Sequence, residues 1–174
     1  LLLAATLAEG ESILQNAAIE PEIDNLVDYL ISMGAKIQGR GTRTLIIQGV
    51  ESLTPGKGET IADRIEAGTF LCGAVITRGR VKVTHMVPEH IMAVLNVFKE
   101  IGCDVAIGDS WVEVDARNKS LKPISVTTLP YPGFPTDMQS VMGAICVVAK
   151  GTSVIIENIF ENRYKYTNEL KRMG

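Results

Sequence analysis

The chain has 174 residues, 46% of them hydrophobic and 21% charged, which allows a packed core and excludes wholesale disorder. Lys and Arg number 17 against 20 Asp and Glu, a net charge of −3, and no basic stripe of the kind that grips a phosphate backbone is present. The longest apolar stretches, residues 1–8 and 141–149, fall far short of the ~20 residues a membrane span needs. Neither nucleic acid nor a membrane is therefore an expected partner. The opening Leu1-Leu2-Leu3 has no Met or basic segment before it, so the chain reads as the middle of something longer rather than as a secretory leader.

In chain order, an apolar helix is expected over 4–10, then a strand at 12–16, the loop Glu20-Pro21-Glu22 and a helix at 23–33 closing at Gly34. Short alternating strands at 36–38 and 45–48 flank the tight link Gly39-Arg40-Gly41-Thr42, where Arg40 and Arg43 read as hairpin surface charges. Residues 51–60, with Pro55, Gly56 and Gly58, read either as a connector between two lobes or as an ordinary surface loop. Asp63-Arg64-Ile65-Glu66 then opens a helix with a capping pair, and the apolar run 71–78 carries it to Gly79. A strand at 81–84, the loop Val87-Pro88-Glu89-His90, a helix at 91–101 and Gly102 follow, and strands at 104–107 and 111–114 flank Gly108-Asp109-Ser110. Last come an extended stretch at 125–128, Phe134-Pro135-Thr136-Asp137-Met138-Gln139, a helix at 141–150 with Gly151, a strand at 153–157, Phe160-Glu161-Asn162-Arg163, and a helix at 164–173 before Gly174.

These elements are one plan written three times. Gly10 to Gly34 is 24 positions, and Gly79 to Gly102 and Gly151 to Gly174 are each 23; successive copies lie 69 and 72 positions apart. With the extended stretch ahead of the first helix, each copy reads β-α-β-α-β-β. Each glycine sits at a helix end, where the chain commonly turns left-handed. The strand-helix-strand order predicts parallel pairing with helices covering a sheet, and copies that must pack on one another to close a core.

Candidate functional residues lie where equivalent loops differ. Thr136 and Gln139 have the spacing of a capping box with Asp137 in the first turn; an acid there either complements the helix dipole or accepts a hydrogen bond from a substrate hydroxyl. Taken alone, the motif favours orientation over strong base catalysis. Arg64 offers a bidentate donor for carboxylate or phosphate, and Glu22 and Glu89 read as first-turn helix acids. Arg163 breaks that acidic pattern. Cys72, Cys103 and Cys146 stand singly among apolar neighbours and away from His85 and His90, and so read as buried thiols in a reducing compartment. No nucleophile elbow, phosphate loop, dinucleotide fingerprint or metal-ligand spacing is present, and no cofactor is expected.

Five stretches taken together resemble the UDP-N-acetylglucosamine enolpyruvyl transferases. They are residues 4–10, 20–23, 63–70, Phe134-Pro135-Thr136-Asp137-Met138-Gln139 and Phe160-Glu161-Asn162-Arg163, in the family's order along the whole chain. The resemblance implies an inside-out α/β barrel in two lobes, each of three β-α-β-α-β-β units, with residues 1–61 the C-terminal part of one lobe and 62–174 the N-terminal part of the other. It implies cytoplasmic transfer of the enolpyruvyl group of phosphoenolpyruvate to the sugar's 3-hydroxyl, with release of phosphate, in peptidoglycan synthesis. By the same resemblance Asp137 matches the residue that contacts and deprotonates that hydroxyl, and Ile159 a main-chain contact to the UDP-sugar, where valine is common. Thr136 matches a positioning neighbour, and Glu22, Asp63, Arg64 and Arg163 match polar positions facing the cleft. The family's early Lys-Asn pair, mobile cysteine loop and phosphate-binding arginines have no counterpart in these residues. This chain is therefore expected to need the rest of its parent and to be inactive alone. A sister enolpyruvylshikimate-phosphate synthase, an RNA 3′-phosphate cyclase and a non-catalytic nucleotide-sugar-binding module are the alternatives; the net charge of −3, the lack of a basic face and two unremarkable histidines argue against the cyclase.

Overall fold

A computed structural model describes residues 1–174. The chain forms two compact units, Leu1–Ile61 and Ala62–Gly174.

In the first unit, a short helix α1 (Leu2–Ala5) precedes β1 (Glu11–Gln15), α2 (Pro21–Ser32), β2 (Lys36–Gln38) and β3 (Thr44–Gln48). The helix expected over 4–10 is thus confined to one turn, and Thr6 leaves it by donating its hydroxyl to the Leu3 carbonyl. Pro21 starts α2, its fixed φ suiting the first helical turn, where no N–H is needed. Val27 and Leu30 are buried with Leu2, Ala5, Ala35, Leu45 and Ile47 in a small core of their own. Arg40, in the β2–β3 link, pairs with Asp28 at 2.6 and 2.7 Å, an exposed surface contact.

The sheet departs from the expected parallel pairing. Its order is β1-β3-β2, and both outer strands pair antiparallel to β3. β1 and β2 do run parallel, as a helical crossover demands, but the hairpin strand inserts between them and takes both hydrogen-bonding edges. The residues ahead of the second copy's first helix form no strand, whereas the third copy has its leading strand, Ser125–Thr127.

In the second unit, α3 (Arg64–Ile76), β4 (Arg80–Thr84), a 3-10 turn (Pro88–Ile91), α4 (Met92–Ile101), β5 (Asp104–Gly108) and β6 (Trp111–Asp115) repeat that plan, with sheet order β4-β6-β5. Then follow β7 (Ser125–Thr127), a 3-10 turn (Thr136–Met138), α5 (Gln139–Val148), β8 (Val154–Ile156) and α6 (Lys165–Arg172). β7 and β8 pair directly and in parallel, Val126 opposite Ile155. One side of α3 is buried, where Leu71, Cys72 and Val75 join Phe98 and Ile101 from α4, Val112 and Val114 from β6, and Met142 and Ile145 from α5, while Glu66, Thr69, Phe70 and Ile76 are exposed on the other. The second and third copies therefore share one core, as the repeat requires.

The glycine pattern holds with one exception. Gly10, Gly34, Gly102, Gly151 and Gly174 have positive φ, but Gly79 does not. There Arg78 itself turns left-handed at φ 57°, and the Gly79 N–H returns to the Ala74 carbonyl at 2.8 Å. The Arg78 guanidinium donates to the Lys119 and Val148 carbonyls, which holds the residue in that conformation. Cys72 and Cys103 are buried and Cys146 half-buried, all as free thiols. No helix is long and apolar enough to cross a membrane.

Candidate functional site

In open α/β sheets, polar groups that serve ligands collect beyond the carboxyl ends of parallel strands. β7 and β8 end together at Thr127 and Ile156, and the loops leaving them carry the candidate residues. The first loop returns through Phe134, whose buried ring anchors it and whose carbonyl accepts from the Leu129 N–H. It then enters the 3-10 turn that presents Thr136 and Asp137. Buried Met138 fixes that turn from beneath.

The expected capping box does not form. The Pro135-led turn has no side-chain cap, and α5 begins only at Gln139, which is itself buried with its amide nitrogen unpaired. The Thr136 hydroxyl is engaged elsewhere both as donor and as acceptor: it donates to Glu157 Oε2 at 2.9 Å, a charge-assisted bond. With its single proton so used, that oxygen accepts from Arg163 Nη1 at 2.8 Å. The same guanidinium reaches Asp137 Oδ1 from Nη1 at 3.1 Å and from Nη2 at 3.3 Å, and lies 5.1 Å from the centre of the Phe160 ring. The Asp137 side chain is 58% exposed and that of Arg163 35%, so the pair faces outward from a supported base.

Thr136, Asp137, Arg163 and the main chain at Ile159 are thus one cluster. Glu157, which the sequence reading placed only as the end of a strand, is its centre. Oε1 accepts from Thr128 Oγ1 at 2.9 Å, from the Ile159 N–H at 2.9 Å and from the Phe160 N–H at 3.1 Å. Burial would raise the Glu157 pKa, but these N–H groups and the two threonine hydroxyls together hold it below the usual carboxylate value. Thr128 is fully buried and also accepts from the Asn158 N–H. Tyr164 closes the other side: its hydroxyl donates to the Ile155 carbonyl and accepts from the Glu157 N–H. One signal for Glu157 was available, since period-two alternation places it on the inward face with half-buried Ile155.

Asp63 caps α3 as expected, accepting from the N–H groups of Ile65 and Glu66 at 2.8 and 3.0 Å. It is a structural acceptor in this arrangement. Arg64, at the first helical position, lies 5.5 Å from the centre of the Tyr131 ring in the loop after β7, a cation–π distance. Glu22 belongs to the first unit, in the first turn of α2, where it lines a surface groove of about 330 Å³ with Asn25, Tyr29 and Glu59. Asn25 pins the connector there, donating to the Glu59 carbonyl and accepting from the Ile61 N–H.

Comparisons with known proteins agree with this architecture. The whole chain, residues 1–174, matches the EPSP synthase (3-phosphoshikimate 1-carboxyvinyltransferase) family. Among curated relatives it is 47% identical over 174 residues to a UDP-N-acetylglucosamine 1-carboxyvinyltransferase of Coxiella burnetii, covering 40% of that protein. It is 49% identical to the protein of the same name in Acinetobacter baylyi, covering 42%. The chain therefore spans about two fifths of the length of the curated relatives it matches. Among solved structures, the enolpyruvyl transferase NikO from Streptomyces tendae superposes with a TM-score of 0.83 at 26% identity, over 99% of this chain and 41% of that one. EPSP synthase from Acinetobacter baumannii shares the fold, with a TM-score of 0.54 at 20% identity, over 88% of this chain and 36% of that one. The repeat of helices and short sheets is thus the α/β architecture of the enolpyruvyl transferases, and the chain belongs to the EPSP synthase (3-phosphoshikimate 1-carboxyvinyltransferase) family.

Proposed function

We propose that this chain is the acceptor-binding part of an enzyme that transfers the enolpyruvyl group of phosphoenolpyruvate to the 3-hydroxyl of UDP-N-acetylglucosamine. The observation that carries the reading is the exposed Asp137 carboxylate, clamped through one oxygen by Arg163 at the ends of the parallel strands. Its name-bearing support is the set of relatives at 45–49% identity, called after that acceptor.

In this reading Arg163 holds Oδ1, and Oδ2 meets the sugar hydroxyl. The hydroxyl oxygen attacks C2 of phosphoenolpyruvate as its methylene carbon takes a proton, and the hydroxyl proton passes to Asp137. The resulting tetrahedral adduct loses a proton from that methyl carbon and expels phosphate, restoring the alkene on the sugar ether. Because protonation has already made C2 electron-poor, a modest base suffices. At Ile159 the N–H is committed to Glu157, so the main chain there offers its carbonyl and reads a hydrogen-bond donor on the ligand. Arg64 and Glu22 serve as further polar contacts to the small-molecule substrates. The lobe assignment of residues 1–61 and 62–174, cytoplasmic location and a requirement for the rest of the parent chain complete the proposal.

The test is phosphate release from phosphoenolpyruvate by the full-length protein, with UDP-N-acetylglucosamine or 3-phosphoshikimate as acceptor. The family description favours the second acceptor as the competing reading. Activity with the nucleotide sugar alone, lost by about 10²–10⁴-fold in Asp137→Ala, is the expected result. Turnover of 3-phosphoshikimate instead, or an unaffected Asp137→Ala enzyme, would overturn it. Phosphate release by the 174 residues alone would contradict the need for the parent chain.

A further inference from the structure

The three copies diverge at one position, six residues beyond the first glycine of each: Asn16, His85 and Glu157. Asn16 and His85 end their strands in the left-handed region, at φ 54° and 59°. Glu157 does not; in the third copy the left-handed residue is Asn162, at φ 58°, five positions further on in the turn at 161–164. The second helix starts at Lys165, 14 positions after Gly151, against Pro21, 11 after Gly10, and Met92, 13 after Gly79 and behind the 3-10 turn at Pro88–Ile91. Residues 157–160, ahead of the turn at 161–164, lack that left-handed strand end, and something else holds them. The Glu157 carboxylate does so, tying two loop N–H groups, Thr128 from the end of β7, and Thr136 from the turn that carries Asp137.

We propose that Glu157 is a positioning residue for the acceptor site, which fixes the 157–163 loop and, through Thr136, the geometry of the Arg163–Asp137 pair. The inference rests on the acceptor reading above. Polarity is the core of the argument. Carboxylate Oε2 can only accept, so it takes the Thr136 proton and leaves the Thr136 oxygen able only to accept from Arg163 Nη1. That orients the guanidinium whose other contacts are to Asp137 Oδ1. A neutral amide at 157 has one accepting oxygen for four donors, so either the Thr136 hydroxyl or the loop N–H groups must lose their partner.

The experiment compares full-length wild type with Glu157→Gln, Thr136→Val and the double variant, with Thr136→Ser as the conservative control. In Glu157→Gln the amides of Ile159 and Phe160 exchange with solvent about tenfold faster or more, while melting temperature changes little. The KM for UDP-N-acetylglucosamine rises about tenfold, more than kcat falls, because ground-state positioning of the acceptor is what has been lost. Thr136→Val gives the same KM effect, Thr136→Ser restores wild-type values, and the double variant is no worse than the poorer single one. Unchanged exchange at residues 159 and 160, or effects that multiply in the double variant, would overturn the role of Glu157. A wild-type enzyme without activity on the nucleotide sugar would overturn the acceptor reading alone, and the exchange measurement would still decide for or against Glu157.

Discussion

At the scale of single residues, the site is a chain of donors and acceptors in which each proton has one place to go. Glu157 is satisfied from four sides, Thr136 passes the order on, and Arg163 delivers it to Asp137. The cysteines obey the opposite logic. Burial pushes the Cys72 thiol up to about 12 from the usual 9.0, and burial with nearby Asp104 takes Cys103 to about 11. In the unfolded chain these thiols ionise near 9, whereas the folded protein keeps them protonated. The unfolded state thus binds fewer protons above that pH, and stability falls as pH rises from about 9 towards 11–12. Denaturant midpoints measured at pH 8, 9 and 10 should decline, with a shallower slope in Cys72→Ala. The same thiols should resist alkylation at pH 8 until the protein unfolds.

At the scale of elements, small residues decide how closely helices approach. A Cβ on Gly143 of α5 would lie 2.5 Å from the Tyr166 hydroxyl and 2.7 Å from its ring, so the glycine is what admits the Tyr166 ring of α6. No residue of α6 is fully buried, so little else ties it down. Gly143→Ala should therefore release α6, seen as loss of amide protection over 165–172 with α5 still protected, at a cost of about 1–3 kcal/mol. Gly68 of α3 has a more distant reach. Its Cβ would meet Ile91 Cδ1 at 2.8 Å and the Met138 side chain at 3.0–3.1 Å, and Met138 is the buried anchor beside Asp137. These are flexible ends that can give way. Gly68→Ala is thus expected to leave the fold intact and to raise the acceptor KM a few-fold by displacing the Asp137 turn.

At the scale of the whole molecule, each unit closes a core from its own residues: Val27, Leu30, Leu45 and Ile47 in one, Leu71, Phe98, Val114 and Met142 among those in the other. Phe98→Ala, at a fully buried site, should cost about 3–5 kcal/mol and lower amide protection within 62–174. Val27→Ala should do so within 1–61. Hydrogen exchange followed residue by residue separates the two outcomes.

Much of this was legible in the amino-acid order, and the reason is locality. Glycine spacing, the Pro21 and Asp63 helix starts and the stripe Val94, Leu95, Phe98 and Ile101 are short-range patterns, and they located the repeat and nearly every element. Thr136, Asp137 and Arg163 stood out because equivalent loops carried different residues. Pairing was not legible: β1 and β2 are parallel yet separated by β3, because a hairpin strand competes for the same edge and only the assembled sheet shows which wins. Nor was the partner of Thr136. A helix N–H three residues on and the Arg163 guanidinium twenty-seven residues on each offered the Thr136 oxygen a donor, and the charged one holds it at 2.8 Å, with the hydroxyl proton given to Glu157 at 2.9 Å across the parallel pair β7 and β8. Local periodicity marked the repeat and the core stripes, and the Phe134–Gln139 motif with its family resemblance pointed to Asp137; tertiary structure alone chose Glu157, since a hydrogen bond depends on distance in space and not along the chain.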